Sequence, residues 1–155
     1  MTSLPPIIAS AIKSGSDQQL SYAGAVSPHQ AFSLLQSNAN IFLIDVRTKA
    51  ERDWVGQVAL PPAQHFSVQW NLYPEGRPNP HFLDELHQIA ADRENVLLFL
   101  CRSGVRSKAA ATAATKAGYR HCFDILQGFE GGKDAQGHRK MIDGWCYAGL
   151  PWTGA

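Results

Sequence analysis

No Cys-x-x-Cys pair occurs anywhere in this chain of 155 residues, and its cysteines number only three: Cys101, Cys122 and Cys146. An odd count without paired spacing argues against a disulfide framework and against a structural zinc site. It suits a reducing compartment with free thiols. Six histidines are scattered without metal-ligand spacing, so neither a metal nor a cofactor is expected. Charge of one sign is also missing. The formal net charge is +1, which removes the electrostatic case for nucleic acid or an anionic membrane as partner. Any basic site has to be local. No apolar run approaches the ~18–20 residues of a membrane span. The opening "MTSLPPIIASAIKSGSDQQL" has neither a charged n-region nor a long apolar h-region. A cytoplasmic protein is the expectation. Internal repeats and low-complexity tracts are lacking as well.

What is present suits one domain. Apolar residues make up 45% and charged residues 17%. A domain of this size buries roughly 68–70% of its unfolded surface, so it needs no covalent staples. Residues 1–19, rich in Ser, Pro and Gln, read as a flexible tail, and 20–155 as the folded part.

Strand and helix patterns alternate along that part. A short strand is expected near 22–26. Ser27, Pro28 and Gln30 then form a Ser-x-x-Gln capping box with proline at the first helical position. Ala31, Phe32, Leu34 and Leu35 supply the apolar face of that helix. "IFLIDV" and "NVLLFL" are continuous apolar strands, a pattern that suggests burial on both faces in a parallel sheet. "TKAERDWV" opens with a Thr-x-x-Glu box and reads as a short helix. "AQHFSV" is a weaker strand, and "NLYPEGRPNP" a loop. Asn79 and Pro80 start a helix with Phe82, Leu83, Leu86 and Ile89 on one face. "SKAAATAATKAG" is helix closed by Gly118, "HCFDIL" another strand, and "MIDGWCYAGLPW" a short final helix and exit. The alternation predicts an α/β fold: three α/β/α layers around a mostly parallel five-stranded sheet. Ligands of such sheets bind beyond the carboxyl ends of the strands. Asp45 and Cys101 both fall at such ends.

"LLFLCRSGVRS" carries the chemistry. Cys101 ends a buried strand and precedes a helix that starts near Ser107. Unsatisfied amides at a helix N-terminus make an anion site, helped by Gly104. The same field, with Arg102 and Arg106, favours thiolate; such settings lower cysteine pKa values from ~8.5 to as low as ~3.5–7.5. Arg102 is expected to point outward, and Arg106 to brace the loop or pair with an acidic neighbour. Against this stands the plain alternative of a buried strand-end cysteine. Cys122 and Cys146 read as packing, with a resolving thiol as the minority role for Cys122. Asp45 and Arg47 are as easily a structural pair that orients loops as a catalytic one. Trp70 and Tyr73 precede a loop that would cover the site, and Trp70 can equally pack beneath it. Trp145 and Trp152 are expected in core or edge packing.

"CRSGVRS" resembles the active-site loop of the rhodanese family of sulfurtransferases, whose pattern is Cys-x-x-Gly-x-Arg-Ser. "LIDVRTKAERDWVGQV" is similar to the family's first signature, with Gln57 and Val58 where a His and an Ile usually stand. "DILQGFEGGKDAQGHRKMIDGWCYAGLPW" resembles the closing signature with a longer glycine-rich insertion. The three motifs occur in order and span nearly all of the folded part. The resemblance implies a two-step transfer through a Cys101 persulfide, held by loop residues Arg102, Ser103, Gly104, Val105, Arg106 and Ser107. It implies a scaffold role for Asp45 and Arg47, with Arg47 near the pocket, and it puts the turn of Phe129 and Glu130 at the pocket rim; Trp70 is a further rim candidate by its place before the covering loop. The partners it implies are a small-molecule sulfur donor and a thiol or protein acceptor. Thiosulfate, mercaptopyruvate and protein persulfides are all donors in principle. Arg102 favours a doubly charged one, because mercaptopyruvate enzymes resemble a Cys-Gly-Ser-Gly-Val-Thr form instead. The rival enzyme is a cysteine phosphatase of the same fold, similar to the cell-cycle dual-specificity phosphatases. Those place five residues between Cys and Arg and lead with His-Cys. Here four residues separate Cys101 from Arg106, and Leu100 precedes the cysteine. A third reading is a non-enzymatic binding or sensor module.

Overall fold

A computed structural model describes residues 4–154. In chain order the elements are α1 (Pro6–Asp17), β1 (Gly24–Val26), α2 (Pro28–Ser37), β2 (Ile41–Asp45), α3 (Lys49–Val55), β3 (Gln57–Val58), β4 (His65–Ser67), β5 (Asn71–Leu72), β6 (Arg77–Pro78), α4 (Phe82–Ile89), β7 (Val96–Leu100), α5 (Arg106–Lys116), β8 (His121–Ile125) and β9 (Trp152–Thr153). Five strands form one sheet in the order β1-β8-β7-β2-β4, and every pairing in it is parallel. The expected parallel α/β fold is therefore what the chain adopts.

The apolar runs explain the layering. In β7, Leu98 and Leu100 face one core cluster, with Ile8 and Ala11 of α1 and Ala31, Leu34 and Leu35 of α2. Leu97, Phe99 and then Cys101 face the other, with Phe82 and Leu86 of α4 and Ala110, Ala111 and Ala114 of α5. All five β7 residues are buried, as expected for a strand covered on both faces. The register sets Asp45 opposite Leu100, so β2 and β7 end together.

Both capping boxes form: Ser27 with Gln30 at the start of α2, and Thr48 with Glu51 at the start of α3. Three expectations fail. The presumed flexible tail contains α1, whose Ile8, Ala11 and Gly15 are buried. Gly15 lies directly on the backbone of Ala23, and Gly24 directly on that of Ala11. A Cβ at either position would collide with a carbonyl, so this close approach needs glycine. The expected closing helix is absent. The Trp145 and Cys146 N–H groups instead donate to the carbonyls of Gly128 and Phe129, which spends them outside any helix. β9 then pairs antiparallel with β3. Finally, the expected loop after Trp70 holds a small hairpin, β5 with β6.

Candidate active site

The Cys101 side chain is 1% exposed and sits one residue beyond β7, before the N-terminus of α5. Its Sγ accepts the Gly104 N–H at 3.1 Å and lies 3.2 Å from Ser107 Oγ. An 11-residue helix places partial positive charge at this end. A sulfur anion here meets a backbone donor and a favourable dipole, with the Ser107 hydroxyl within hydrogen-bond distance.

Two segments from elsewhere in the chain, and the following helix, hold the loop in shape. From α3, Glu51 receives Arg106 in a bidentate pair, Nη1 to Oε1 at 2.7 Å and Nη2 to Oε2 at 2.8 Å. Burial pushes the Glu51 carboxyl up, but the hydrogen bonds and charge of Arg106, with the Thr48 donors, more than offset this and hold it at about 2. The same pairing raises the Arg106 guanidinium above its ordinary value. After β8, the Phe129 N–H donates to the Cys101 carbonyl at 2.8 Å, and the Glu130 N–H to the Arg102 carbonyl at 2.9 Å. Gly128, at φ +68°, lets this turn approach; a Cβ there would lie 2.6 Å from the Cys101 carbonyl oxygen. From α5 itself, Lys108 Nζ donates to the Gly104 carbonyl at 2.7 Å.

Arg102 is exposed. It lines an open cleft of about 300 Å³ with Arg106, Glu51, Trp54, Leu72 and Tyr73. Trp54 and Tyr73 meet edge to face at 5.6 Å and are 69% and 56% exposed. Another hollow, among Asn38, Ile41, Val96 and His121, lies at the opposite, amino ends of the strands.

Asp45 and Arg47 are both fully buried and pair with each other. Arg47 Nη2 donates to Asp45 Oδ2 at 2.7 Å, and Nε to Oδ1 at 3.0 Å. The Arg47 guanidinium stacks over Phe129 at 4.2 Å. Together they tie the end of β2 to the turn that supports the cysteine loop. Two expected rim residues are placed otherwise. Phe129 is fully buried, covered by Arg47 and by Trp152 at 5.8 Å, so it cannot line a pocket. Trp70 packs edge to face on Phe82 at 4.9 Å, against the core, and does not line the cleft. Glu130 is half-buried and meets the loop through its backbone. The rim aromatic that sequence reasoning missed is Trp54; an indole on the outer side of a short helix gave no periodic signal.

Cys122 is fully buried beside α5, and Cys146 is half-buried on the other face of the sheet. Burial pushes their thiols up to about 12 and about 11. Cys122 pairs with Leu97 near the start of β7, far along the strand from Cys101. Among the described residues, no group of three His, Cys, Asp or Glu side chains is placed to hold a metal. No helix there is long and apolar enough to cross a membrane.

A family model for the rhodanese-like domain matches residues 27–135. The chain belongs to the rhodanese-like domain family. Its rhodanese-like fold superimposes on the crystal structure of Rv0390 from M. tuberculosis with a TM-score of 0.76 and 40% identity, covering 86% of this chain and 99% of that one. Uncharacterized protein RC0915 of Rickettsia conorii is 37% identical over 128 residues, 79% of this chain and 91% of that protein. A more distant relative is the thiosulfate sulfurtransferase GlpE of Haemophilus influenzae, 26% identical across 81% of this chain and 90% of its own.

Proposed function

We propose that this protein is a sulfurtransferase that carries sulfane sulfur on Cys101. In the first step the Cys101 thiolate attacks the outer sulfur of thiosulfate or a similar donor. The donor's S–S bond breaks, sulfite leaves with the electron pair, and Cys101 holds a persulfide. In the second step an acceptor such as cyanide or a thiolate attacks the terminal sulfur. The persulfide S–S bond breaks and returns the Cys101 thiolate, so the sequence needs no outside oxidant. This is covalent catalysis that splits one transfer into two displacements.

The observation that carries this reading is the convergence of the Gly104 N–H and the Ser107 hydroxyl on the Cys101 sulfur at the start of α5. Those groups stabilise a sulfur anion as nucleophile and again as leaving group. Likeness to the named thiosulfate sulfurtransferase adds weight to thiosulfate as donor. Arg102, exposed on the cleft, supplies charge to draw a small dianion. Arg106 is occupied by Glu51, so its work is to shape the loop.

The test is intact-protein mass spectrometry after thiosulfate treatment, with a thiocyanate assay alongside. One added sulfur on Cys101, thiocyanate formation, and loss of both in Cys101→Ser support the proposal. Efficient hydrolysis of aryl phosphates without thiocyanate assigns the site to phosphatase chemistry. No added sulfur and no turnover of either kind leaves a binding module, and the proposal fails.

A further inference from the structure

Asp124 stands in the middle of an otherwise apolar strand, "HCFDI", and is fully buried. A buried carboxylate costs several kcal/mol unless it is paired. Its partners lie on α5, beside the nucleophile. Ser107 Oγ donates to Asp124 Oδ1 at 2.5 Å, and the same Oγ is 3.2 Å from Cys101 Sγ. Lys108 Nζ forms an ion pair with Asp124 Oδ2 at 3.0 Å. Tyr22, buried before β1, is the other titratable group that faces the carboxyl. The residues paired with Asp124 across the sheet, Ala25 and Phe99, are apolar. Burial pushes the Asp124 carboxyl up, against the pull of Ser107 and Lys108.

A serine hydroxyl has one proton, so it cannot donate to Asp124 and to Cys101 together. Two arrangements satisfy the chain of three groups. In one, Ser107 donates to the Asp124 carboxylate and the Cys101 thiol donates to Ser107. In the other, Asp124 is protonated and donates to Ser107, whose hydroxyl turns onto a Cys101 thiolate. Passing between them breaks the S–H bond as a proton reaches Ser107 Oγ. It also breaks the old serine O–H bond as that proton reaches Asp124. The net change is one proton moved from Cys101 to Asp124.

We propose that Asp124 is a positioning residue that acts on Cys101 through Ser107, taking the thiol's proton and thereby aiming the serine hydroxyl at the sulfur. This rests on Cys101 as the reactive thiol, and it adds a buried proton acceptor to the site. Lys108, which also holds the Gly104 carbonyl, joins that acceptor to the cradle loop.

The pH profile of iodoacetamide alkylation at Cys101, read by mass spectrometry, tests it. Alkylation follows the thiol itself, so the outcome is independent of whether thiosulfate is a donor; a missing persulfide with this profile intact sinks only the transfer reaction. Wild type is expected to show two coupled ionisations. Asp124→Asn removes the second charge and lets the amide donate permanently to Ser107. The profile then becomes a single step at the lower of the two wild-type ionisations, and the upper step is lost, because the amide stands in for the protonated carboxyl. Ser107→Ala should also give a single step, displaced to higher pH, whereas Ser107→Thr, which keeps the hydroxyl, should restore two. In the Ser107→Ala background, adding Asp124→Asn should change nothing further. An unchanged profile in Asp124→Asn, or an equal shift with and without the Ser107 hydroxyl, overturns the proposal. If Asp124→Asn fails to fold, the serine pair decides alone: two steps persisting in Ser107→Ala refute the relay.

Discussion

Replacing Glu51 with glutamine removes the charge that grips Arg106, while glutamine still suits the third position of the α3 capping box. The loss in stability can be worked from the structure. The Glu51 carboxyl is held at about 2 against an ordinary value of 4.5. The difference, 4.5 − 2 = 2.5 units, corresponds at about 1.4 kcal/mol per unit to a ceiling of about 3.4 kcal/mol. The two side chains keep 21% and 23% of their exposure, and solvent screening cuts this to about 2 kcal/mol. The folded value lies below the unfolded one. The stabilisation is therefore complete above about 4.5 and fades as pH falls toward about 2. Urea titrations of wild type and Glu51→Gln should differ by about 2 kcal/mol at neutral pH, with Tm lower by about 4–8 °C, and should converge in acid. Equal stability at neutral pH, or a deficit that persists unchanged in strong acid, would refute the reasoning.

What the sequence revealed and what it hid divide along contact range. "IFLID" and "VLLFL" announce paired central strands because a strand covered on both faces has no polar side to write into its pattern. The two capping boxes are legible because donor and acceptor stand three residues apart. Helix α1 was hidden: its interface is made by two glycines meeting backbone from another element, and glycine, serine and glutamine look like a tail. The closing segment reads as helix, yet its amides are taken by the turn at Gly128. In the site, the cysteine loop is a contiguous local motif, which is why it stands out in the sequence. The groups that set its shape were not. Nothing near Arg106 names Glu51, 55 positions away, and nothing near Ser107 names Asp124. A lone aspartate in an apolar strand was the available signal, since such a residue is almost never buried without a partner. Phe129 was misjudged because its cover, Arg47 and Trp152, comes from the first and last parts of the domain.

Two further outcomes follow from burial and charge. Iodoacetamide near neutral pH should label Cys101 well before Cys122 and Cys146, whose thiols burial raises to about 12 and about 11; peptide mapping that finds equal labelling of all three would count against the site. Arg102→Ala addresses donor capture. The Arg102 side chain is exposed on the cleft, while its structural contacts run through the main-chain carbonyl that receives Glu130, and alanine keeps that carbonyl. Stability should therefore change by no more than about 0.5 kcal/mol. The guanidinium's attraction for a dianion, worth up to ~1 kcal/mol for an exposed charge, should appear as a rise in thiosulfate KM of about fivefold. The salt dependence of kcat/KM should soften, because exposed charges are screened over ~8–10 Å at physiological ionic strength. Thiocyanate assays at several salt concentrations and a denaturant titration measure both. A large loss of stability with an unchanged KM would assign Arg102 to the scaffold and leave donor capture to other groups of the cradle.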